Sequence, residues 1–261
     1  MRALFTAATG MEAQQVRIDT VANNLANVTT SGFKKARAEF QDLFYETVRA
    51  PGATSADGAA LPTGAQVGHG VKLGAIGKIY GQGQLLQTGR ELDLAIDGDG
   101  FFQIQRPGGE TLYTRDGTFQ LDRDGNIVNN QGFPVVPNIQ VPIDALSVTI
   151  FDDGTVSALI AGDTEPTQLG RLELARFANP AGLVSLGNNL ATPSEASGDP
   201  ETGNPRDTGF GGLSQGFLES SNVNIAEELV QMILAQRAFE VNSRVIQAGD
   251  EMLQVASSVS R

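Results

Sequence analysis

From Leu4 onward, small or apolar residues recur at Leu4, Ala8, Met11, Ile18, Ala22 and Leu25, with spacings of four and three broken only by Gln15. That alternation predicts a helix with a heptad-like seam. Gly10 costs such a helix about 1 kcal/mol without ending it. The expected stop is Asn23-Asn24-Leu25-Ala26-Asn27, because Asn tolerates the left-handed conformation that closes a helix, and β-branched Val28-Thr29-Thr30 follow. At the other end Ile225, Met232, Phe239, Ile246 and Leu253 recur every seven residues, with a second row at Val245, Met252 and Val259. Leu229 is apolar, but its later equivalents Gln236, Ser243 and Asp250 are polar. Between Val223 and Val259 there is no Pro and only Gly249, so one helix of about 50 Å is predicted. Asn222 or Asn224 serves as its N-cap, and Glu227 and Glu228 suit the positive end of its dipole. A helix of that length outruns a compact core. Its stripe needs the N-terminal helix and neighbouring subunits as cover, although two helices of an ordinary α+β core give the same pattern.

Between these helices the period falls to two. Asp116-Gly117, Asp124-Gly125 and Asp153-Gly154 are hairpin signals flanking Leu112–Thr114, Thr118–Leu121, Asn126–Val128 and Thr155–Ser157. Further strands are expected at Leu92–Ile96, Phe101–Gln105, Leu146–Phe151 and Gly170–Phe177, and a long loop at 192–212. Residues 50–70 have no apolar periodicity, and Pro51 and Pro62 exclude an uninterrupted helix. The expected fold is therefore α+β. Long terminal helices form a coiled-coil-like domain, and a central antiparallel β domain and an extended connector lie between them. The expected boundaries are an N-terminal helix and turn at 1–45, pairing with 222–261, a connector at 46–81 and a β domain at 82–221.

Composition removes much chemistry. The 261 residues contain no Cys, which excludes disulfides, thiolate nucleophiles and Cys-ligated metals. His69 is the one histidine, set between Gly68 and Gly70, and reads as a solvated or interface side chain. The net charge of −12 argues against nucleic-acid or anionic-membrane partners. Residues 1–50 carry six basic and five acidic groups, and 222–261 carry three and five, so the acidity belongs to the middle of the chain. No apolar run approaches the roughly 20 residues of a membrane span. The start of the chain lacks a secretory apolar region.

Asp122-Arg123-Asp124-Gly125-Asn126 starts like a calcium loop, but Ile127 and Phe133 occupy the places that need Gly and Glu. Asp97-Gly98-Asp99-Gly100 is similarly a turn, and no phosphate-binding glycine motif is present. Thirty acidic residues make some close carboxylate pair inevitable, so a pair alone is no argument for a glycosidase, and no Trp is present to stack a sugar. The cluster Asn23–Asn27 ends one helix and can fix its approach to a second. The adjoining Ser31-Gly32-Phe33-Lys34-Lys35 supplies a turn, a buried aromatic and two cations.

The two ends carry long, ungapped motifs. Ala22-Asn23-Asn24-Leu25-Ala26-Asn27-Val28-Thr29-Thr30-Ser31-Gly32-Phe33-Lys34 resembles the N-terminal motif of the bacterial flagellar rod and hook proteins. Ser221-Asn222-Val223-Asn224, Glu227-Glu228-Leu229-Val230 and Gln236-Arg237-Ala238-Phe239-Glu240 are similar to their C-terminal motif. Hook proteins are usually much longer than this chain. Tyr45–Ala53, Leu61–Gly64, Val67–Val71, Gly100–Phe102 and Tyr113–Gly117 look like the distal-rod branch, so the resemblance covers essentially the whole chain.

The resemblance implies a structural subunit, neither enzyme nor cofactor carrier, of a tubular shaft that crosses the periplasm, transmits motor torque to the hook and encloses the axial export channel. It also implies export without a cleaved signal and self-assembly into a helical polymer. The implied contacts are proximal rod proteins, the hook protein, the outer ring proteins and, during assembly, a rod cap. Within this reading the terminal helices make the tube wall. Assembly contacts are expected at Leu4, Met11, Ile18, Asn23, Asn24, Leu25, Asn27, Gly32 and Phe33, and at Ile225, Leu229, Met232, Phe239, Ile246 and Leu253. A proximal-rod or hook-type paralogue is the alternative within the family. A secreted β-domain binding protein and a cell-wall hydrolase are the alternatives outside it.

Overall fold

A computed structural model describes residues 2–50, 63–162 and 165–259. The chain divides into two compact units: Met1–Leu25 with Ala36–Gly77 and Asn224–Arg261, and Ala26–Lys35 with Lys78–Val223. It is α+β, with a helix near each end and an antiparallel β region between them.

The first unit is built on two helices, α1 (Arg2–Ala26) and α2 (Ile225–Val259). α1 ends inside the Asn cluster as expected. Asn224 is the N-cap of α2, its Oδ1 accepting the amides of Ala226 at 3.0 Å and Glu227 at 3.4 Å. Leu4 lies over Gly249, Gly10 faces Asn242, Arg17 bonds Gln231 and Asn24 bonds Glu228. Positions rise along α1 as they fall along α2, so the helices run antiparallel. Two ribbons complete the unit. Ala36–Asp42 pairs with Val71–Lys78, and Tyr45–Arg49 pairs antiparallel with Ala65–Gly68. Residues 65–78, expected as connector, are thus extended and paired. The rest of the aperiodic stretch 50–70 is largely residues 51–62, which lie outside the described residues.

The second unit is the β region. Its seven-stranded antiparallel sheet runs Val184–Gly187, Leu190–Thr192, Thr111–Thr114, Phe101–Gln105, Leu174–Arg176, Glu201–Gly203, with Val135–Val136 also on Phe101–Gln105. Ala145–Ile150, Thr155–Ile160 and Thr167–Arg171 form a second sheet. Leu94, Ile96, Phe102, Ile104, Phe119 and Leu174 centre the core. In a smaller cluster that includes Leu183, Phe177 packs edge-to-face with Phe101 and with Tyr113, the latter at 4.8 Å between ring centroids.

Two local expectations change. Asp124-Gly125 and Asp153-Gly154 close hairpins, each with a positive-φ glycine. Asp116-Gly117 does not, because Thr111–Thr114 pairs with Phe101–Gln105 and Leu190–Thr192 instead of with the following strand. Gly117 is there for close approach: its carbonyl accepts the Leu94 amide at 3.0 Å, and a Cβ would collide with the Leu94 carbonyl. The stretch 192–212 is also not one long loop, since Glu201–Gly203 pairs with Leu174–Arg176.

Candidate assembly surface

The packed centre of α2 is a row of small and polar residues. Glu228, Ala235 and Gly249 are buried and Asn242 is half-buried, spaced by seven residues. Met232, Phe239 and Ile246 are half-buried at its edge. At 100° per residue they lie about 40–60° round the helix from that row. Ile225 and Leu253 of the same apolar row are exposed, as is Leu229. The every-seven apolar pattern therefore marks the flank of the helix contact. Its axis is set by two small residues, Ala235 and Gly249, and two polar ones, Glu228 and Asn242. On α1, Leu4, Met11, Ile18 and Leu25 are likewise half-buried, and the contacts with α2 pass through Leu4, Gly10, Arg17 and Asn24.

Asn24 makes the buried polar contact of the pair. Its amide nitrogen donates to the Ala36 carbonyl at 2.8 Å and to Glu228 Oε2 at 3.1 Å, and its Oδ1 accepts the Ala36 amide at 2.9 Å. Glu228, expected to serve the helix dipole, is buried as the acceptor for this amide. Asn23 is exposed, and Asn27 turns the chain by accepting the Thr30 hydroxyl and amide, both at 3.2 Å.

Beside its charged face, α2 exposes apolar residues that α1 does not cover. Val230, Ile233, Leu234, Val241, Met252 and Val255 are all exposed. Contiguous exposed apolar patches of this kind mark interaction surfaces. The ribbons repeat the theme with exposed Tyr45, Val48, Leu73 and Ile76, as does Phe44 between two of their strands, and isolated two-stranded ribbons are marginal in water. Arg2, Leu4, Phe5, Ala8, Gly68 and His69 line a largely apolar cleft of about 560 Å³. His69 keeps Nδ1 3.0 Å from the Phe44 carbonyl.

In the second unit the loop 26–35 is held by a buried ion cluster that the sequence pattern did not single out. The Lys34 ammonium meets Glu219 Oε1 at 2.6 Å and the Gly81 carbonyl at 2.9 Å. Arg115 Nε lies 3.4 Å from Glu219 Oε2, and its Nη2 donates to the Gly98 carbonyl at 2.8 Å. The side chains of Lys34, Glu219 and Arg115 are 3%, 1% and 5% exposed. Burial pushes the Lys34 and Arg115 pKa values down, and Glu219 opposes this at both. Gly32, with φ of 68°, sits where a Cβ would strike the backbone of Arg115 and Asp116. Phe33, expected to be the buried group, is half-buried beside Lys78, so the motif buries its cation more deeply than its ring. Among the described residues no three His, Asp or Glu side chains converge as metal ligands, and no helix is long and apolar enough to cross a membrane.

Three family profiles match the chain in order. Residues 4–34 match "Flagella basal body rod protein", 95–158 match "Flagellar hook protein FlgE/F/G D1 domain", and 214–259 match "Flagellar basal body rod FlgEFG protein C-terminal". A flagellar basal-body rod protein FlgG from Borreliella burgdorferi is 49% identical, covering 100% of this chain and 99% of its own length. The chain belongs to the flagellar rod and hook protein family. Within that family, FlgG of Agrobacterium fabrum is 48% identical over 98% of both chains. The flagellar hook-basal body complex protein FlhP of Bacillus subtilis is 30% identical over 99% of both. The end profiles coincide with the helix pair and with the segments that supply Lys34 and Glu219.

Proposed function

We propose that this protein is a structural subunit of the flagellar distal rod, a helical tube that carries motor torque across the periplasm to the hook and walls part of the axial export channel. The observation that carries the reading is the uncovered apolar surface of α2. Leu234 and Val241 lie on the helix far from the row that meets α1, and both are more than half exposed. Burying such a side chain fully gains about 1.5–3 kcal/mol, and an α2 that packs against several copies would recover this at each contact. Different patches meeting head to tail build an open helical polymer instead of a closed dimer. α1 and α2 then form the coiled-coil-like tube wall, and the acidic β unit supplies the outer contacts. The greater identity to the FlgG relatives than to FlhP favours the distal-rod branch over other paralogues.

Proximal rod proteins and the hook protein would meet the two ends of the polymer. The ring proteins would surround it, and a cap would attend its growth. The basal body is the site of action, reached by export without a cleaved signal. Electron microscopy of the concentrated, purified chain tests the proposal. Open-ended tubes of constant diameter are expected, and a fixed small oligomer at all concentrations would refute it.

A further inference from the structure

Lys34, Arg115 and Glu219 are separated by up to 185 residues in sequence and all belong to the second unit. A buried ion cluster is a poor source of stability, because desolvation offsets most of the attraction. What it does supply is a strict requirement for its partners. Without Glu219, the Lys34 ammonium would keep one carbonyl and face the Arg115 guanidinium in a dry site.

Glu219 holds the loop twice over. Its side chain takes Lys34 and also the Gly83 amide at 2.8 Å, while its backbone carbonyl takes the Gly32 amide at 2.8 Å. Three residues on, Asn222 Oδ1 accepts the Lys35 amide at 2.8 Å, and its own amide reaches the Ile79 and Gly81 carbonyls. Glu219 ends the short strand Phe217–Glu219, which is in register with Leu85–Gln87.

We infer that Glu219 is a positioning residue that makes closure of the loop Ala26–Lys35 conditional on the last strand of the β unit. The loop continues directly from α1, and Phe217–Val223 runs directly into α2. A chain whose final strand is unpaired leaves the loop open and α1 on a loose tether. Such a subunit must order the loop as it joins a polymer, which opposes addition. The cluster thus admits completed subunits and disfavours incomplete ones. The link to polymer growth rests on the rod reading above, whereas loop closure does not.

Amide hydrogen exchange on the full chain tests this at Gly32, Lys35 and Gly83, with Phe102 and Ile104 as core references. Glu219→Gln is expected to speed exchange at the three loop reporters at least tenfold while the references stay protected. In a Lys34→Met background the same change should have a clearly smaller effect at Gly32 and Lys35, because only Arg115 of the two cations on Glu219 remains. Equal effects in both backgrounds would overturn the inference. So would unchanged loop exchange, or loss of core protection in step with the loop. Microscopy of the same samples reads the second half: Glu219→Gln should form at least tenfold fewer tubes than wild type. Normal tubes from a variant with an open loop would overturn the gating role. Absence of tubes from wild type would refute the rod reading and leave the exchange result standing.

Discussion

In the hairpin between Ala145–Ile150 and Thr155–Ile160, the Asp153 carboxylate accepts the Thr155 amide at 3.0 Å and its hydroxyl at 2.9 Å. Arg171 approaches the same carboxylate at 3.5 Å. The Thr155 bonds, with help from Arg171, hold the Asp153 pKa below the usual 3.8. The folded chain therefore releases this proton more readily than the unfolded one. Its contribution to stability is complete above pH 3.8 and is lost as pH falls through the folded value. Asp153→Asn should lower the urea midpoint at pH 7, and the gap from wild type should close as pH drops below 3.8. A gap that stays constant from pH 7 to pH 2.5 would show that the charge is irrelevant. The Asp-Gly dipeptide announced this turn in the sequence, and its geometry followed. Asp116-Gly117 carried the same signal, but there the glycine serves contact with Leu94. Local sequence cannot separate a turn glycine from a contact glycine. Nor could it show that Lys34 is buried, since its partner lies 185 residues away.

At the scale of elements, both helices and the strands between Leu94 and Ile160 were largely legible because each carries its own periodicity or turn signal, whereas the paired ribbons of 36–78 and the strands after 183 were not. The seam between the helices was not. Leu4, Met11, Ile18 and Leu25, with Met232, Phe239 and Ile246, are half-buried. The axis runs through Gly10, Ala235, Asn242 and Gly249, which hydrophobic patterning discards. The signal that could have found it is size: Gly249, Ala235 and Gly10 in helices otherwise free of Gly. The distinction has a consequence at Gly10. Leu is a better helix former than Gly by close to 1 kcal/mol, so propensity alone predicts that Gly10→Leu stabilises. An added Cβ would already stand 2.8 Å from Asn242 Nδ2 and 3.2 Å from its Cγ. Overpacking of this kind costs about 1–3 kcal/mol. Gly10→Leu should therefore lower the midpoint of the helical circular dichroism melt, with β-unit exchange unaffected. A raised midpoint would place the helices farther apart than described.

At the scale of the whole molecule, the question is which surface of α2 belongs to the subunit and which to the polymer. Phe239 is a poor probe, because it flanks the contact with α1 and its loss disturbs pairing within the chain. Leu234 and Val241, 55% and 59% exposed, lie about 100° from Ala235 and Asn242, beyond the cover of α1. In the free subunit, Asp at these positions meets water and should leave the melt of the helix pair within about 0.5 kcal/mol of wild type. In a tube wall, the same carboxylates would be enclosed between apolar neighbours. Burying a charge without a partner costs several kcal/mol, and the cost recurs at every subunit because each presents the same patch. The Leu234→Asp/Val241→Asp variant should therefore sediment as a folded monomer with wild-type circular dichroism, yet form no tubes and restore no motility to cells lacking the native subunit. Tubes of normal length from this variant would assign the face to solvent and return the assembly contacts to the flanking row of Met232, Phe239 and Ile246.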